Sequence, residues 1–166
     1  MKSIDFFAKN MTAQFSEGLH YKDKLHSLFT LPLEPYLDLS QTRNRLEGIH
    51  SHTACERRYV GIWKIIEDKL YLERLDNVSG DILPLDRFFK DQSAPIFAEW
   101  FSGELRCPKG ELLKYVHFGF GSIYERDLII TVRNGVIESE RIVTNQPPPP
   151  RDPSDEFNIP EFLLRR

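Results

Sequence analysis

His117, Tyr124 and Glu125 lie close together in the stretch YVHFGFGSIYERD at 115–127. An imidazole, a phenol and a carboxylate in one loop are groups from which general acid–base catalysis is assembled. His50 and His52, in EGIHSHTACERR, offer a second chemistry. On a strand they share a face, as two ligands of one metal do, with His117, Cys55 or Glu56 available as a third. Cys55 beside those histidines, or Ser122 near His117, is a conceivable nucleophile–base pairing. Glu99, Glu104 and Glu125, near expected strand ends, are candidates for paired carboxylates.

Each of these has a plainer reading beside it. The histidines sit in a polar loop with no ligand motif at diagnostic spacing, so the sequence assigns no metal and no other cofactor. GFGSIYE is not G-x-S-x-G, and TACERR matches no cysteine-protease signature, so no catalytic residue is assigned. The GFG run lacks a phosphate-loop pattern, and strand-like residues rather than a helix follow it. Gly119 and Gly121 therefore read as a turn between strands. Carboxylates alternating with apolar residues describe the solvent face of a half-buried strand.

The elements that must position these groups are mostly strands. RYVGIWKII alternates, placing Tyr59, Gly61, Trp63 and Ile65 on one face, and after the polar EDK turn LYLERL alternates again, which predicts a hairpin. IFAEWF, ELRC, ELLKYVH and IYERDLIITVR are further strand candidates, with PKG at 108–110 expected to turn the chain. Asn134–Gly135 leads into VIESERIV as a second hairpin. A helix is expected near the N-terminus, with Ile4, Phe7, Ala8, Met11 and Phe15 at helical spacing and Gly18 ending it. Pro32 and Pro35 limit the next stretch to at most one edge strand. Pro84 suits the first turn of a short helix carrying Leu85, Phe88 and Phe89 inward. The fold class expected is α+β and β-dominated: an antiparallel sheet of hairpins with two or three short helices. Residues 1–145 read as a single domain. Residues 146–166 read as a proline-rich tail with an apolar end at Phe157, Ile159, Phe162 and Leu163.

Hydrophobic residues make up 40% of the 166-residue chain and charged residues 28%, which is globular rather than disordered composition. A formal net charge of -3 argues against direct nucleic-acid binding, which calls for a basic face. No apolar run is long enough to span a bilayer, and the charged N-terminus lacks the apolar centre of a signal peptide. With Cys55 and Cys107 far apart and reading as reduced thiols, the expected location is cytoplasmic.

RYVGIWKIIEDKLYLERLD, then W-F-S-G-x-L, a Gly turn, Y-V-H-x-G-F-G-S-x-Y-E and the closing N-G hairpin resemble a family of small bacterial cytosolic proteins. The resemblance covers about residues 58–137 and implies no established activity. In type the chain also resembles immunity proteins, which protect a cell from its own toxin. That implies a non-enzymatic binding protein that occludes a basic toxin, such as a nuclease, with carboxylates at Glu67, Asp68, Glu73, Asp76, Asp81 and Asp86. The alternatives are an enzyme built on His117, Tyr124 and Glu125, and an adaptor subunit tethered by the proline-rich tail.

Overall fold

The computed structural model describes residues 13–149. Its strands are β1 (Glu17–Tyr21), β2 (Lys24–Leu28), β3 (Val60–Ile66), β4 (Lys69–Asp76), β5 (Ile82–Leu83), β6 (Ile96–Phe97), β7 (Gly103–Lys114), β8 (Ile123–Arg133) and β9 (Val136–Thr144). Between β2 and β3 lie a short helix α1 (Glu34–Leu39) and a 3-10 turn at Arg43–Leu46, and a second 3-10 turn spans Leu85–Arg87. All nine strands belong to one sheet with the path β2-β1-β3-β4-β9-β8-β7, to which β5 and β6 add alongside β4. The architecture is β-dominated as expected, but the sheet is mixed, because β1 pairs parallel with β3.

The hairpins follow from turn chemistry. Lys22–Asp23, Glu67–Asp68 and Asn134–Gly135 each hold both central residues at positive φ. That geometry matches the twist of antiparallel strands joined by two-residue turns. Asn134–Gly135 and the turn after Ile66 fall where the sequence places them. Alternation in β3 is also kept: Tyr59 and Trp63 are fully buried, while Ile65 packs against the same core.

Three local expectations are corrected. Of the predicted N-terminal helix, most residues lie outside those described, but Gly18 sits inside β1 rather than at a helix end. A Cβ there would meet Ile62 Cδ1 at 3.0 Å, so this glycine serves the close approach of neighbouring strands. Residues 19–41 hold two elements besides β1, namely β2 and α1, with Pro35 in the first turn of α1 where its missing N–H costs nothing. PKG does not turn the chain. Pro108 lies opposite Asp127 within β7, and the register shifts after Lys109. Gly110, at φ 79°, forms the bulge, and the Glu125 side chain fills the space a Cβ would need.

The ends of the strand path meet. Phe29 N–H donates to Arg106 O at 2.8 Å, Thr30 Oγ1 donates to Glu104 O at 3.1 Å, and Arg106 N–H donates to Thr30 Oγ1 at 2.9 Å. The sheet thereby curls around a core containing Leu19, Leu28, Trp63, Leu70, Leu72, Leu105 and Ile130. An aromatic cluster of Tyr36, Phe89 and Trp100 covers one side, pinned by Trp100 Nε1–H to Pro32 O at 2.8 Å and Tyr36 O–H to Phe88 O at 3.0 Å.

One carboxylate is inside this core. Glu17 accepts from Trp63 Nε1–H at 2.6 Å and from Arg57 Nε–H at 3.3 Å. A Cβ at position 61 would stand 2.5 Å from Trp63 Nε1 and 2.6 Å from Glu17 Oε2, which is why the strand carries Gly61 there. Burial pushes the Glu17 carboxyl above its ordinary value, outweighing the opposing pull of Arg57, Trp63 and the Gly61 backbone. The Arg57 guanidinium lies against the Tyr59 ring at 5.5 Å, and its Nη1 has no hydrogen-bond partner among the described residues.

Candidate functional site

The 115–127 stretch comprises the β7–β8 loop and the start of β8, and its polar groups are engaged separately. His117 is exposed and lies edge-on to Tyr115, with ring centroids 4.5 Å apart. Tyr124 packs edge-on against Phe29 at 5.9 Å. Glu125 accepts the Glu111 N–H at 3.2 Å and so belongs to the β7 bulge. Ser122 is buried; its hydroxyl accepts the Val116 N–H at 3.1 Å and donates to Val116 O at 3.4 Å, closing the loop on itself. The glycines are architectural in the expected sense. Gly119 stands at φ 50°, and a Cβ on Gly121 would meet Val116 Cγ1 at 2.9 Å and Phe118 O at 3.0 Å.

Arg106 organises this loop, and sequence reasoning missed it. Its guanidinium donates to Phe120 O at 2.8 Å, Ser122 O at 3.0 Å and Asp127 Oδ1 at 3.0 Å, while lying over the Phe29 ring at 5.4 Å. Asp127 is itself buried and takes a second donor, Asn145 Nδ2, at 2.8 Å. The alternation of ELRC marks Arg106 only as facing away from Leu105 and Cys107, which is also the signature of a solvent-facing residue. Its partners come from the β7–β8 loop, from Asp127 on β8 and from Phe29 just after β2.

In the second histidine group His50 is exposed, and His52 is engaged by its own loop and by Phe15. His52 Nδ1 accepts the Ala54 N–H at 3.1 Å, and its ring stacks on Phe15 at 6.0 Å. Among the described residues no group of three or more His, Cys, Asp or Glu side chains is arranged to hold a metal ion. Cys55 and Cys107 are free and buried. Burial pushes the Cys107 thiol up to about 12 and raises that of Cys55, whose Sγ–H donates to Tyr59 O at 3.3 Å. Thiolate is the reactive form, so neither cysteine is expected to react with a thiol-specific disulfide reagent at mildly alkaline pH until the chain unfolds. Rapid labelling of either in the native state, followed by mass spectrometry, contradicts this.

The six carboxylates expected to meet a partner are distributed along β4 and its flanks. Glu67 and Asp68 form the exposed β3–β4 turn at one end. Glu73 lies between Lys64 Nζ at 3.4 Å and His20 Nε2 at 3.8 Å. Asp76 is paired with Arg74 at 2.8 Å. Asp81 accepts from Asn77 Nδ2 at 3.1 Å in the turn before β5. Glu67, Asp68 and Asp86 have no ion-pair partner among the described residues. Of the three wider carboxylate candidates, Glu104 pairs with Arg141 at 2.8 Å, Glu125 holds the bulge, and Glu99 is exposed. Beside Glu73 and Asp86 runs an open groove of about 360 Å³ whose walls include Ile82, Leu83, Pro84 and Leu85. Ile82, on the groove wall and next to Asp81 in the chain, is 66% exposed.

No family model, no curated protein and no solved structure matches this chain. Among the described residues no helix is long and apolar enough to cross a membrane.

Proposed function

We propose that this chain is a non-enzymatic binding protein whose partner is a basic protein, and that it acts as an immunity protein by covering the active surface of a cognate toxin. The supporting observation is Ile82, exposed on the wall of a shallow groove that the carboxylates of Glu73 and Asp86 also line. Asp81 is its neighbour in the chain, and the lining arginine, Arg74, is paired to Asp76. Protein interfaces combine an apolar anchor, which carries binding energy when desolvated, with a charged rim that steers encounter. A toxin that holds nucleic acid presents a basic surface, to which this rim is complementary. The scattered engagement of His117, Tyr124 and Glu125 also fits binding better than acid–base chemistry.

The test uses basic proteins encoded beside this gene as candidate partners, with association measured at low and high salt. Asp81→Lys with Asp86→Lys is expected to slow association by about tenfold or more at low salt, and Ile82→Ala to speed dissociation. A candidate partner that is neutralised equally well by all three substituted positions places the interface elsewhere. Absence of any complex at low salt overturns the reading.

A further inference from the structure

On a different face, the tip of the β1–β2 hairpin leans toward β7, β8 and β9 and leaves a concave space of about 260 Å³. The ammonium-bearing side chains of Lys22, Lys24 and Lys109 all line it, against the single carboxylate of Glu140. That carboxylate is already committed, with one oxygen 2.5 Å from Lys22 Nζ and the other accepting from Tyr21 O–H at 2.7 Å. Lys24 has no anionic partner among the described residues. Lys109 donates only to an uncharged acceptor, His26 Nδ1, at 2.8 Å. With Nδ1 accepting, the ring proton of His26 sits on Nε2 and is donated to Tyr21 O at 3.0 Å. His26 is therefore a neutral support that orients Lys109, and its pKa is lowered first by burial and then by Lys109 and Lys24. Two ammonium groups thus face one space without counter-charge from the protein. The opposite wall is apolar, made by Leu128 and the half-exposed Ile142.

We propose that this mouth binds a compact dianion of the phosphomonoester class, its charged end held between Lys24 and Lys109 and its organic part against Leu128 and Ile142. Charge count selects a dianion over a monoanion, since two uncompensated cations are present. The apolar wall selects an ester over the free ion. The space accommodates a small ligand and not a folded chain.

Phenyl phosphate is a suitable probe, followed through the ring protons of His26 by NMR. The groups facing His26 are Lys24 on β2, Lys109 on β7, Tyr21 and Lys22 at the end of β1, and Glu140 on β9. A dianion added to this set favours the imidazolium, so binding is expected to raise the His26 pKa. Affinities are compared above roughly pH 7, where the ester, whose second proton adds at about pH 6, stays dianionic. Lys24→Met and Lys109→Met are each expected to weaken binding by about tenfold or more. Lys24 is exposed, so its variant reports on the ligand without threatening the fold. Absence of a His26 shift at saturating phenyl phosphate overturns the proposal. So does binding that survives both lysine substitutions, and benzoate binding as tightly as phenyl phosphate overturns the dianion assignment.

Discussion

Glu17→Ala is expected to lower the unfolding free energy by about 3–5 kcal/mol, the range for removing one partner of a buried ion pair. The substitution leaves the buried Trp63 indole N–H without its acceptor beside an empty volume and leaves the Arg57 guanidinium with only Phe15 O as an acceptor. Glu17→Gln is expected to cost less, because an amide oxygen still accepts from Trp63. The same pair of variants tests the sign of the titration. A carboxyl whose pKa is raised by folding binds its proton more tightly in the native state. Its contribution to stability is complete below the ordinary carboxylate value and is lost as pH rises through the native value. Urea midpoints should therefore decline across that interval for the parent chain, and Glu17→Gln should remove that part of the slope. Equal slopes in both proteins, or a Glu17→Ala variant as stable as the parent, contradict the assignment of Glu17 as a buried, mainly desolvated carboxyl.

Arg106→Met is the second large effect. Methionine keeps much of the stem that lies against Phe29 but removes three hydrogen bonds, two to the 115–122 loop and one to Asp127. Asp127 keeps only Asn145 as a donor, and a half-satisfied buried carboxylate carries much of the cost. A loss of about 2–4 kcal/mol is expected, with hydrogen exchange accelerating first at Val116–Ser122. Global destabilisation with unchanged protection of that loop shows that Arg106 does not organise it.

These two residues also show where the sequence was readable and where it was not. The β3–β4 and β8–β9 hairpins were legible because a period of two and a turn dipeptide are local signals, and both survive into the fold. Ile82 and its groove lie in a segment that reads as a loop leading to a short helix. The structure has β5 and a 3-10 turn there, because pairing with β4 makes Ile82–Leu83 a strand. The parallel neighbour of β1 could not be read. Glu17 and Gly18 look like the end of a helical pattern and the residues after them like an irregular run, and only the strands on either side make 17–21 a strand. Gly18 and Gly61 are uninformative in isolation, since what they accommodate is a side chain from a distant segment. Pro108 and Gly110 read as a turn because a bulge uses the same residue types, and the long pairing of β7 with β8 decides between them. Glu17 and Arg106 carry charge in strand-like runs, so their neighbourhoods predict solvent, and their partners belong to parts of the chain that no window includes.

The meeting of β2 with β7 has a kinetic consequence. As the chain grows from its N-terminus, the β1–β2 hairpin can form early, yet neither of its sheet neighbours exists at that point. β1 waits for β3, and β2 waits for β7, which is made only after most of the strands. Until then β1 and β2 have unpaired backbone groups and apolar side chains without a core to cover them. Contacts so far apart in sequence carry a loop-closure cost before they return any stabilisation, which is the condition for slow folding. The same closure that leaves the finished sheet with few open edges makes the half-made chain dependent on its last strands.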